Sequence, residues 1–314
     1  MNHIRHDLPR IGGDIFLTDG GLETTLIFHA GLDMPHFAAF HLLRDPEGRD
    51  AVERYYRRHA AIAEQRGTGF IFESATWRAS RDWGDLLGYS RDELAIANYQ
   101  AVDLMRQVHA EFPGLRAVIS GCVGPRGDGY DPGEAMTDLE AMQYHGEQIA
   151  TFAKSGAQMI AAITMTNVPE ATGVALAAQA VGLPAAISFT VETDGRLPTG
   201  DGLGEAIEAV DAATRGWPAY FMINCAHPDH FRDTLAAGGD WLQRIGGIRA
   251  NASRMSHAEL DEAEELDDGD PHELGQDYAE LRRLLPHLAV LGGCCGTDHR
   301  HVEQIGHNCV HSHA

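Results

Sequence analysis

The segment Leu288-Ala289-Val290-Leu291-Gly292-Gly293-Cys294-Cys295-Gly296-Thr297 leads from an apolar run into two adjacent cysteines bracketed by glycines. Neighbouring residues of a strand point to opposite faces, and a disulfide between adjacent residues is strained. Two thiolates that are to meet at one point therefore need a bent backbone, which the flanking glycines allow. A soft metal ion is the natural meeting point, so the segment predicts a strand that ends in a metal site.

A third cysteine, Cys225, ends another apolar run that begins at Tyr220. Three thiolates with one open position are a coordination that suits a catalytic zinc ion. The alternative is three buried structural thiols, since free cysteine is often buried. The adjacent pair at a glycine-bracketed strand end favours zinc (Zn²⁺) bound by Cys225, Cys294 and Cys295.

The remaining cysteines and the nearby histidines are weaker candidates for the metal. Cys122 and Cys309 lack a comparable setting, and Cys122 suits the wall of a pocket. Histidines just past the cysteine loops could complete a closed site; they are His227, His230, His299 and His301. Strand-end cysteines suit an open, catalytic site better, so these histidines are expected at the surface or behind the ligands.

Short apolar runs recur along the chain, with helical patterns between them. The runs span residues 14–18, 69–72, 117–120, 158–162, 184–188, 220–223, 244–248 and 288–291. Most are continuously apolar, as buried parallel strands are, and helical patterns occupy 51–66, 91–111, 138–155 and 204–214. Eight alternations in 314 residues predict an α/β fold, a single (β/α)8 TIM barrel over 1–314. The termini, 1–10 and 308–314, are expected to be flexible.

A doubly wound sheet is the alternative fold. It usually carries a glycine-rich phosphate loop after its first strand, and Asp19-Gly20-Gly21-Leu22-Glu23-Thr24 is not GxGxxG. The sequence shows no internal repeat and no evident linker, which also favours one barrel domain.

The composition limits the partners and the compartment. The net charge of -22 argues against nucleic acid and anionic membrane surfaces as partners. No stretch approaches the roughly 20 apolar residues of a membrane span, and the first residues lack the apolar core of a signal peptide. Five sparse cysteines suit a reducing, cytoplasmic environment. The oligomeric state stays open, a homo-oligomer included.

Side chains at the C-terminal strand ends build the active site of such a barrel. Asp19 follows the first strand and precedes two glycines. It either caps the next helix or faces the mouth as a carboxylate for a substrate ammonium, with Gly20 allowing a close approach. The second reading is favoured, and Glu23 is a further candidate for the same ammonium.

Five more candidates follow other strands. Glu73, Thr76 and Trp77 follow the second strand, where a glutamate could bind a cation and the indole face could pack on a methylated onium group. Packing at the barrel rim is an equal alternative for all three. Asn224 and Asn251 either contact substrate or satisfy the backbone of turns.

These motifs together resemble the zinc-dependent homocysteine S-methyltransferase family, which includes betaine–homocysteine and S-methylmethionine–homocysteine methyltransferases. The resemblance runs from Asp19-Gly20-Gly21 to residues 292–297 and is most specific at Asn224-Cys225 and at the Gly-Gly-Cys-Cys-Gly-Thr segment. Ser188-Phe189-Thr190 and Asp194-Gly195 look like the end of the family's fifth strand. The resemblance implies a (β/α)8 barrel whose three cysteines hold zinc, with the acceptor thiol in the fourth position.

The chemistry that the resemblance implies fits these parts. A free thiol has a pKa near 8.5 and is mostly protonated at neutral pH, but coordination to zinc keeps it as a thiolate. The thiolate attacks a methyl group of a sulfonium or quaternary ammonium donor, and homocysteine becomes methionine. No protein nucleophile is needed, so no catalytic side chain is predicted. The partners are thus a small thiol and a methyl donor.

The chain departs from the family pattern at three places. Ile163 stands where the family carries a glutamate for the amino group of homocysteine, which leaves Asp19 as the main carboxylate for it, aided by Glu23 or Glu73. Residues 249–251 read Arg-Ala-Asn where Tyr-Pro-Asn is frequent, and Glu23 replaces a small residue. The alternatives are therefore the same zinc chemistry on another thiol or donor, or a non-catalytic protein that binds zinc or thiols.

Overall fold

The computed structural model describes residues 8–263 and 265–310. The expectation of flexible termini therefore falls outside the described residues for 1–7 and 311–314. Residues 308 and 309 belong to the last helix. No helix in the described part of the chain is long and apolar enough to cross a membrane.

Within the described residues, eight parallel strands pair in chain order and close into a barrel, with β8 beside β1. The strands are β1 (Phe16–Leu17), β2 (Gly69–Glu73), β3 (Ala117–Val123), β4 (Met159–Met165), β5 (Ala185–Phe189), β6 (Tyr220–Asn224), β7 (Ile245–Ala250) and β8 (Val290–Gly293). Phe16 lies opposite Gly69 on one side and Val290 on the other, which is where the ring closes. The predicted (β/α)8 barrel is confirmed.

Helices surround the barrel and connect its strands. The α-helices of the described residues are α1 (Leu22–Thr24), α2 (Ala39–Leu42), α3 (Pro46–Arg66), α4 (Arg81–Leu86), α5 (Arg91–His109), α6 (Asp138–Ser155), α7 (Val168–Val181), α8 (Leu203–Thr214), α9 (Pro228–Ala236), α10 (His257–Glu262), α11 (Pro271–Leu284) and α12 (His299–Cys309). A π-helix spans Thr25–His29, and 3-10 turns span Pro35–Phe37 and Asp240–Arg244.

Helix boundaries follow from caps that the hydrophobic periodicity does not reveal. The pattern predicts a helix from residue 51, but α3 starts at Pro46 because the Asp45 carboxylate accepts a hydrogen bond from the Gly48 N–H at 2.9 Å. Helices α5 and α6 begin with capping boxes made by Ser90 and Thr137. Each starts within one residue of its predicted position.

The strands differ from the predicted runs mostly at their C-terminal ends. β3 continues to Val123 and β4 to Met165, beyond the apolar runs that end at 120 and 162. The added residues are Gly-Cys-Val at 121–123 and Ile-Thr-Met at 163–165, in which Gly121 and Thr164 interrupt the apolar pattern. β4 carries a register shift between Ala162 and Met165, and Thr164 has a left-handed backbone with φ 65°. The irregular end of β4 lies beside the candidate site.

Two layers of apolar side chains hold the barrel. The larger lies between strands and helices, and the smaller includes Phe16, Ile71, Met159, Tyr220 and Val290. Both layers are almost fully buried. This packed scaffold leaves only the C-terminal strand ends and their loops to form a site.

Candidate metal centre and active site

Three cysteine sulfurs converge at the mouth of the barrel. Cys225 Sγ lies 2.8 Å from Cys294 Sγ and 3.5 Å from Cys295 Sγ, and all three sulfurs lie within 4.8 Å of one another. These are free thiols, since a disulfide needs a separation of about 2.05 Å. Thiolates on one tetrahedral zinc lie about 3.8 Å apart, so small shifts suffice for them to share an ion. Among the described residues no histidine joins this group.

The backbone of Cys225 is held in a conformation that is unusual for a side chain. Its φ of 55° lies in the left-handed region, which costs on the order of 1–3 kcal/mol. Three hydrogen bonds maintain it: its N–H donates to Arg249 O at 3.1 Å, and its carbonyl accepts from His257 Nε2 at 2.8 Å and Asn251 Nδ2 at 3.2 Å. The strain is thus offset by neighbours that aim Cys225 at the other thiols.

The glycines before the cysteine pair are required by close packing. A Cβ atom at Gly292 would collide with Thr18 Oγ1, and one at Gly293 would collide with Thr297 Oγ1. Thr297 in turn donates to the Cys294 carbonyl at 2.7 Å. The strand end can therefore fold back against β1 only with glycine at these two positions.

Asn224 fixes the neighbouring strands and touches one thiol. Its Oδ1 accepts from the Thr164 N–H at 2.9 Å and from Ser188 Oγ at 2.6 Å. Its Nδ2 donates to Thr164 Oγ1 at 2.8 Å and approaches Cys294 Sγ at 3.6 Å. Asn224, the last residue of β6, thus connects β4 and β5 by hydrogen bonds and also contacts Cys294.

Tyr130 covers the sulfurs from a long loop. Its hydroxyl lies 3.5 Å from Cys225 Sγ, and its ring stacks on His257 with centroids 4.0 Å apart and planes 12° apart. Hydrogen bonds from Cys225 and Cys295 hold the pKa of the Cys294 thiol well below its usual range. One thiol of the three therefore ionises most readily.

A cavity of about 180 Å³ opens beside the cysteines. Of the residues predicted from the sequence, it is lined by Asp19, Gly20, Glu23, Glu73, Trp77, Cys225, Cys294 and Cys295. Further lining residues include Ile163, Tyr130, Arg78 and Arg249. The cavity thus brings most of the predicted candidates together, and Ile163 offers it no charge.

A buried charge cluster forms one wall of this cavity. Arg249 Nη2 donates to Asp19 Oδ1 at 2.7 Å, and Tyr55 OH donates to Asp19 Oδ2 at 3.2 Å. Arg249 Nε donates to the Gly293 carbonyl at 3.0 Å, and Nη1 lies 3.9 Å from Glu73 Oε2. Burial raises the pKa of Asp19, with Arg249 opposing that rise, and burial raises the pKa of Glu73 to about 7, again opposed by Arg249.

Three predicted substrate residues lie outside the cavity lining. Thr76 is buried in the wall, where its hydroxyl donates to the Cys122 carbonyl at 2.7 Å. Asn224 lies behind the thiols, and Asn251 supports Cys225 as described above. Thr76 and Asn224 support the backbone and a thiol, because their polar atoms are engaged within the barrel. Asn251 also lines a neighbouring cavity, and its buried Oδ1 has no hydrogen-bond partner among the described residues. Cys122 lines the cavity without joining the thiols.

Trp77 lies at the cavity, but its surroundings differ from the expected free onium platform. Its Nε1 donates to the Ile163 carbonyl at 3.1 Å, and the Arg78 guanidinium carbon lies 4.5 Å from its ring centroid. Arg78 also lies over Trp83 at 3.7 Å. A protein cation thus already contacts the indole face.

A second cavity of about 510 Å³ adjoins the first and shares Phe37, Tyr130, Asp261 and Cys295 with it. Its other lining residues include the aromatic Phe28 and the acidic Asp33, Glu265 and Asp267. Cys295 therefore borders two cavities of different character, whereas Cys225 and Cys294 line the smaller one.

Sequence reasoning missed Arg249, Tyr130 and His257. Arg249 carried a usable signal, because a charged residue directly after the apolar run 244–248 must find a buried partner in a barrel. Tyr130 comes from the loop between β3 and α6, where nothing in the local pattern marks it, and His257 is the first residue of the short helix α10. Their roles depend on how this loop and this helix lie over the mouth, which periodicity does not describe.

The fold and the site together define a closed parallel barrel whose C-terminal mouth carries a group of three cysteines that could hold a metal ion. The sequence profile of the family described as homocysteine S-methyltransferase matches residues 16–309. The chain belongs to this family, and the resemblance inferred from its motifs is confirmed.

Individual relatives agree with this membership. The chain is 25% identical to homocysteine S-methyltransferase 4 of Zea mays, over 94% of this chain and 90% of that protein. The solved homocysteine methyltransferase MmuM of Escherichia coli has a similar fold. Its metallated form superposes with a TM-score of 0.72 at 17% identity, covering 94% of this chain and 96% of that one. Its apo form gives 0.66 at 18% identity, with the same coverage.

Proposed function

We propose that the protein transfers a methyl group from a sulfonium or quaternary ammonium donor to the thiol of homocysteine, giving methionine, at a zinc ion held by Cys225, Cys294 and Cys295. The observation that carries this proposal is the convergence of the three sulfurs beside a cavity, in a chain of the homocysteine S-methyltransferase family. The continuous family match over 16–309 supports one barrel domain.

The donor set fits zinc. Three soft sulfur ligands favour zinc over hard cations such as magnesium, and the adjoining cavity leaves room for a further ligand. When bound, zinc lowers the pKa of the acceptor thiol so that it is present as a thiolate at neutral pH. Asn224 Nδ2 and Tyr130 OH lie near two of the three sulfurs and orient them.

The side chains of the cavity position and desolvate the reactants. Tyr130, Ile163 and Trp77 supply apolar surface next to the thiols and reduce the access of water. In the transfer, the acceptor sulfur forms a bond to the methyl carbon. The bond from that carbon to the donor's sulfur or nitrogen breaks, and the electron pair leaves with the donor, which becomes neutral. The thiol proton is lost to solvent, and no side chain acts as a nucleophile.

The second cavity supports a cationic donor. Its aromatic and acidic lining, including Phe28, Phe37 and Asp261, suits a methylated onium ion. Because it shares Tyr130 and Cys295 with the first cavity, a donor there would reach the acceptor thiol across these two residues. We therefore place the acceptor in the smaller cavity and the donor in the larger one.

The test is an assay of the zinc-loaded protein with homocysteine and a panel of S-methylmethionine, S-adenosylmethionine, dimethylsulfoniopropionate and glycine betaine, with methionine as readout. We expect one zinc per chain and methionine from at least one donor. If homocysteine binds but no donor yields methionine, the non-catalytic alternative replaces the proposal. If another thiol is methylated far faster, the acceptor assignment fails.

A further inference from the structure

Two polar groups in the wall of the smaller cavity face each other without bonding. Every hydrogen bond of Arg249 noted above uses Nε or Nη2, whereas Nη1 lies 3.9 Å from Glu73 Oε2. That distance is too long for a hydrogen bond. Glu73 Oε2 is buried, with 5% of the side chain exposed, and has no hydrogen-bond partner within the described residues.

Leaving Glu73 Oε2 and Arg249 Nη1 without a hydrogen bond between them costs free energy unless a ligand pairs with them. A buried acceptor without a donor loses its hydration and gains nothing in return. Arg249 cannot move towards Glu73 without leaving Asp19 and the Gly293 carbonyl, which hold the other edge of the guanidinium. The pair is therefore held open by the protein itself, on the wall of the cavity that also contains the thiols.

We propose that Glu73 and Arg249 together bind the α-amino acid end of the acceptor: Glu73 Oε2 accepts from its ammonium and Arg249 Nη1 donates to its carboxylate. This inference rests on the proposed function. A zwitterion offers one donor group and one acceptor group on a single carbon, which is what an adjacent carboxylate and guanidinium require.

Asp19 then has a different role from the one expected from the sequence. Both of its oxygens already accept hydrogen bonds, from Arg249 and from Tyr55, so its negative charge is engaged before a substrate arrives. It fixes Arg249 so that Nη1 points at the cavity. With an apolar Ile163 at β4, Glu73 is the carboxylate left with an unused buried oxygen.

The experiment compares three acceptor thiols that differ only at this end: homocysteine, 4-mercaptobutyrate without the amino group, and 3-mercaptopropan-1-amine without the carboxylate. For Glu73→Gln we expect kcat/KM to fall at least tenfold for homocysteine and 3-mercaptopropan-1-amine, and less than threefold for 4-mercaptobutyrate. For Arg249→Lys we expect kcat/KM to fall instead for homocysteine and 4-mercaptobutyrate, the two thiols that carry the carboxylate. Zinc content and thermal unfolding report whether each variant is intact.

The matched control is Asp128→Asn, which removes the same charge from the exposed rim, where Asp128 pairs with Arg78 at 3.4 Å. This variant should change kcat/KM for all three thiols by one common factor. If Glu73→Gln lowers kcat/KM equally for all three thiols, or for none of them, the proposal is overturned. This conclusion holds even if Arg249→Lys does not fold. A wild-type protein that methylates none of the thiols refutes the proposed function instead, and calorimetric binding of the three thiols to Glu73→Gln then tests the pair by itself.

Discussion

The two sides of the barrel mouth are organised by different kinds of interaction. The thiol side, formed by Cys225, Cys294 and Cys295, is held mainly through backbone groups: hydrogen bonds to the N–H and carbonyl of the left-handed Cys225, and a glycine pair that lets β8 pack closely on β1. The charged side, formed by Asp19, Glu73 and Arg249, depends on an ion pair between residues 230 positions apart. The thiol side supplies the reaction chemistry, and we assign the choice of acceptor to the charged side.

The largest expected effect is on the thiol side. Cys294→Ala should lose most of the zinc and lower methyl transfer by at least about a thousandfold, because loss of residues behind metal ligands alone already costs 10–100-fold. Metal analysis of the purified protein and the methionine assay measure both effects. Cys122→Ala is the control, since Cys122 lines the same cavity without joining the three sulfurs. Full zinc retention in Cys294→Ala would refute the ligand assignment.

The next effect is on the charged side and appears as stability. Asp19→Asn leaves the Arg249 guanidinium short of a buried partner, where the two side chains are 4% and 7% exposed. Breaking such a pair costs about 3–5 kcal/mol of unfolding free energy, whereas zinc should stay bound. Denaturant unfolding of the zinc-loaded protein measures this.

The same variant also bears on the acceptor. We expect Asp19→Asn to weaken the acceptor by about ten- to a hundredfold, because Arg249 loses the partner that fixes it and a lost charged hydrogen bond is worth about 1.5–3 kcal/mol. Asp128→Asn, at a carboxylate whose side chain is 48% exposed, should cost less than about 1 kcal/mol. Equal stability losses in the two variants would mean that Asp19 and Arg249 do not act as a buried pair.

This contrast also explains how much the sequence could predict. The barrel followed from eight apolar runs, and the cluster of three cysteines followed from Cys225 and Cys294-Cys295, because each signal is contained in a few consecutive residues. The partner of Asp19 could not be predicted, since nothing near residue 19 indicates that Arg249 is beside it. Thr76, Asn224 and Asn251 were chosen for their positions at strand ends, but position alone does not say whether a side chain faces the cavity or its neighbours.

A moderate effect on the charged side depends on pH. Burial raises the pKa of Glu73 from 4.5 to about 7, so the folded state holds this proton more tightly than the unfolded state does. Stability is therefore lost as the pH rises from about 4.5 through about 7. Glu73→Gln removes this pH dependence. The unfolding free energy of the variant relative to that of the wild type should therefore rise by on the order of 2 kcal/mol between pH 5 and pH 8. Urea unfolding at the two pH values measures the difference.

The opposite result is also informative. If Arg249 holds Glu73 ionised at all these pH values, Glu73→Gln gains nothing on going to pH 8. The charged side would then be a closed network of two carboxylates on one guanidinium. An ionised Glu73 is the form that a substrate ammonium requires, so the comparison of the three thiols, and not this pH dependence, decides whether Glu73 binds it.

The smallest effect concerns Tyr130, which touches the thiol side and also lines the cavity beside the charged side. Tyr130→Phe keeps the ring that stacks on His257 but removes the hydroxyl 3.5 Å from Cys225 Sγ. One hydrogen bond of this kind contributes about 0.5–1.5 kcal/mol, so zinc affinity should fall by no more than about tenfold while stability is unchanged. A chelator competition measures the affinity, and the three-thiol comparison measures selectivity. If Tyr130→Phe alters the preference among the thiols and leaves zinc affinity unchanged, Tyr130 acts with the charged side. The assignment of reaction chemistry to the thiol side and of acceptor choice to the charged side would then be wrong for this residue.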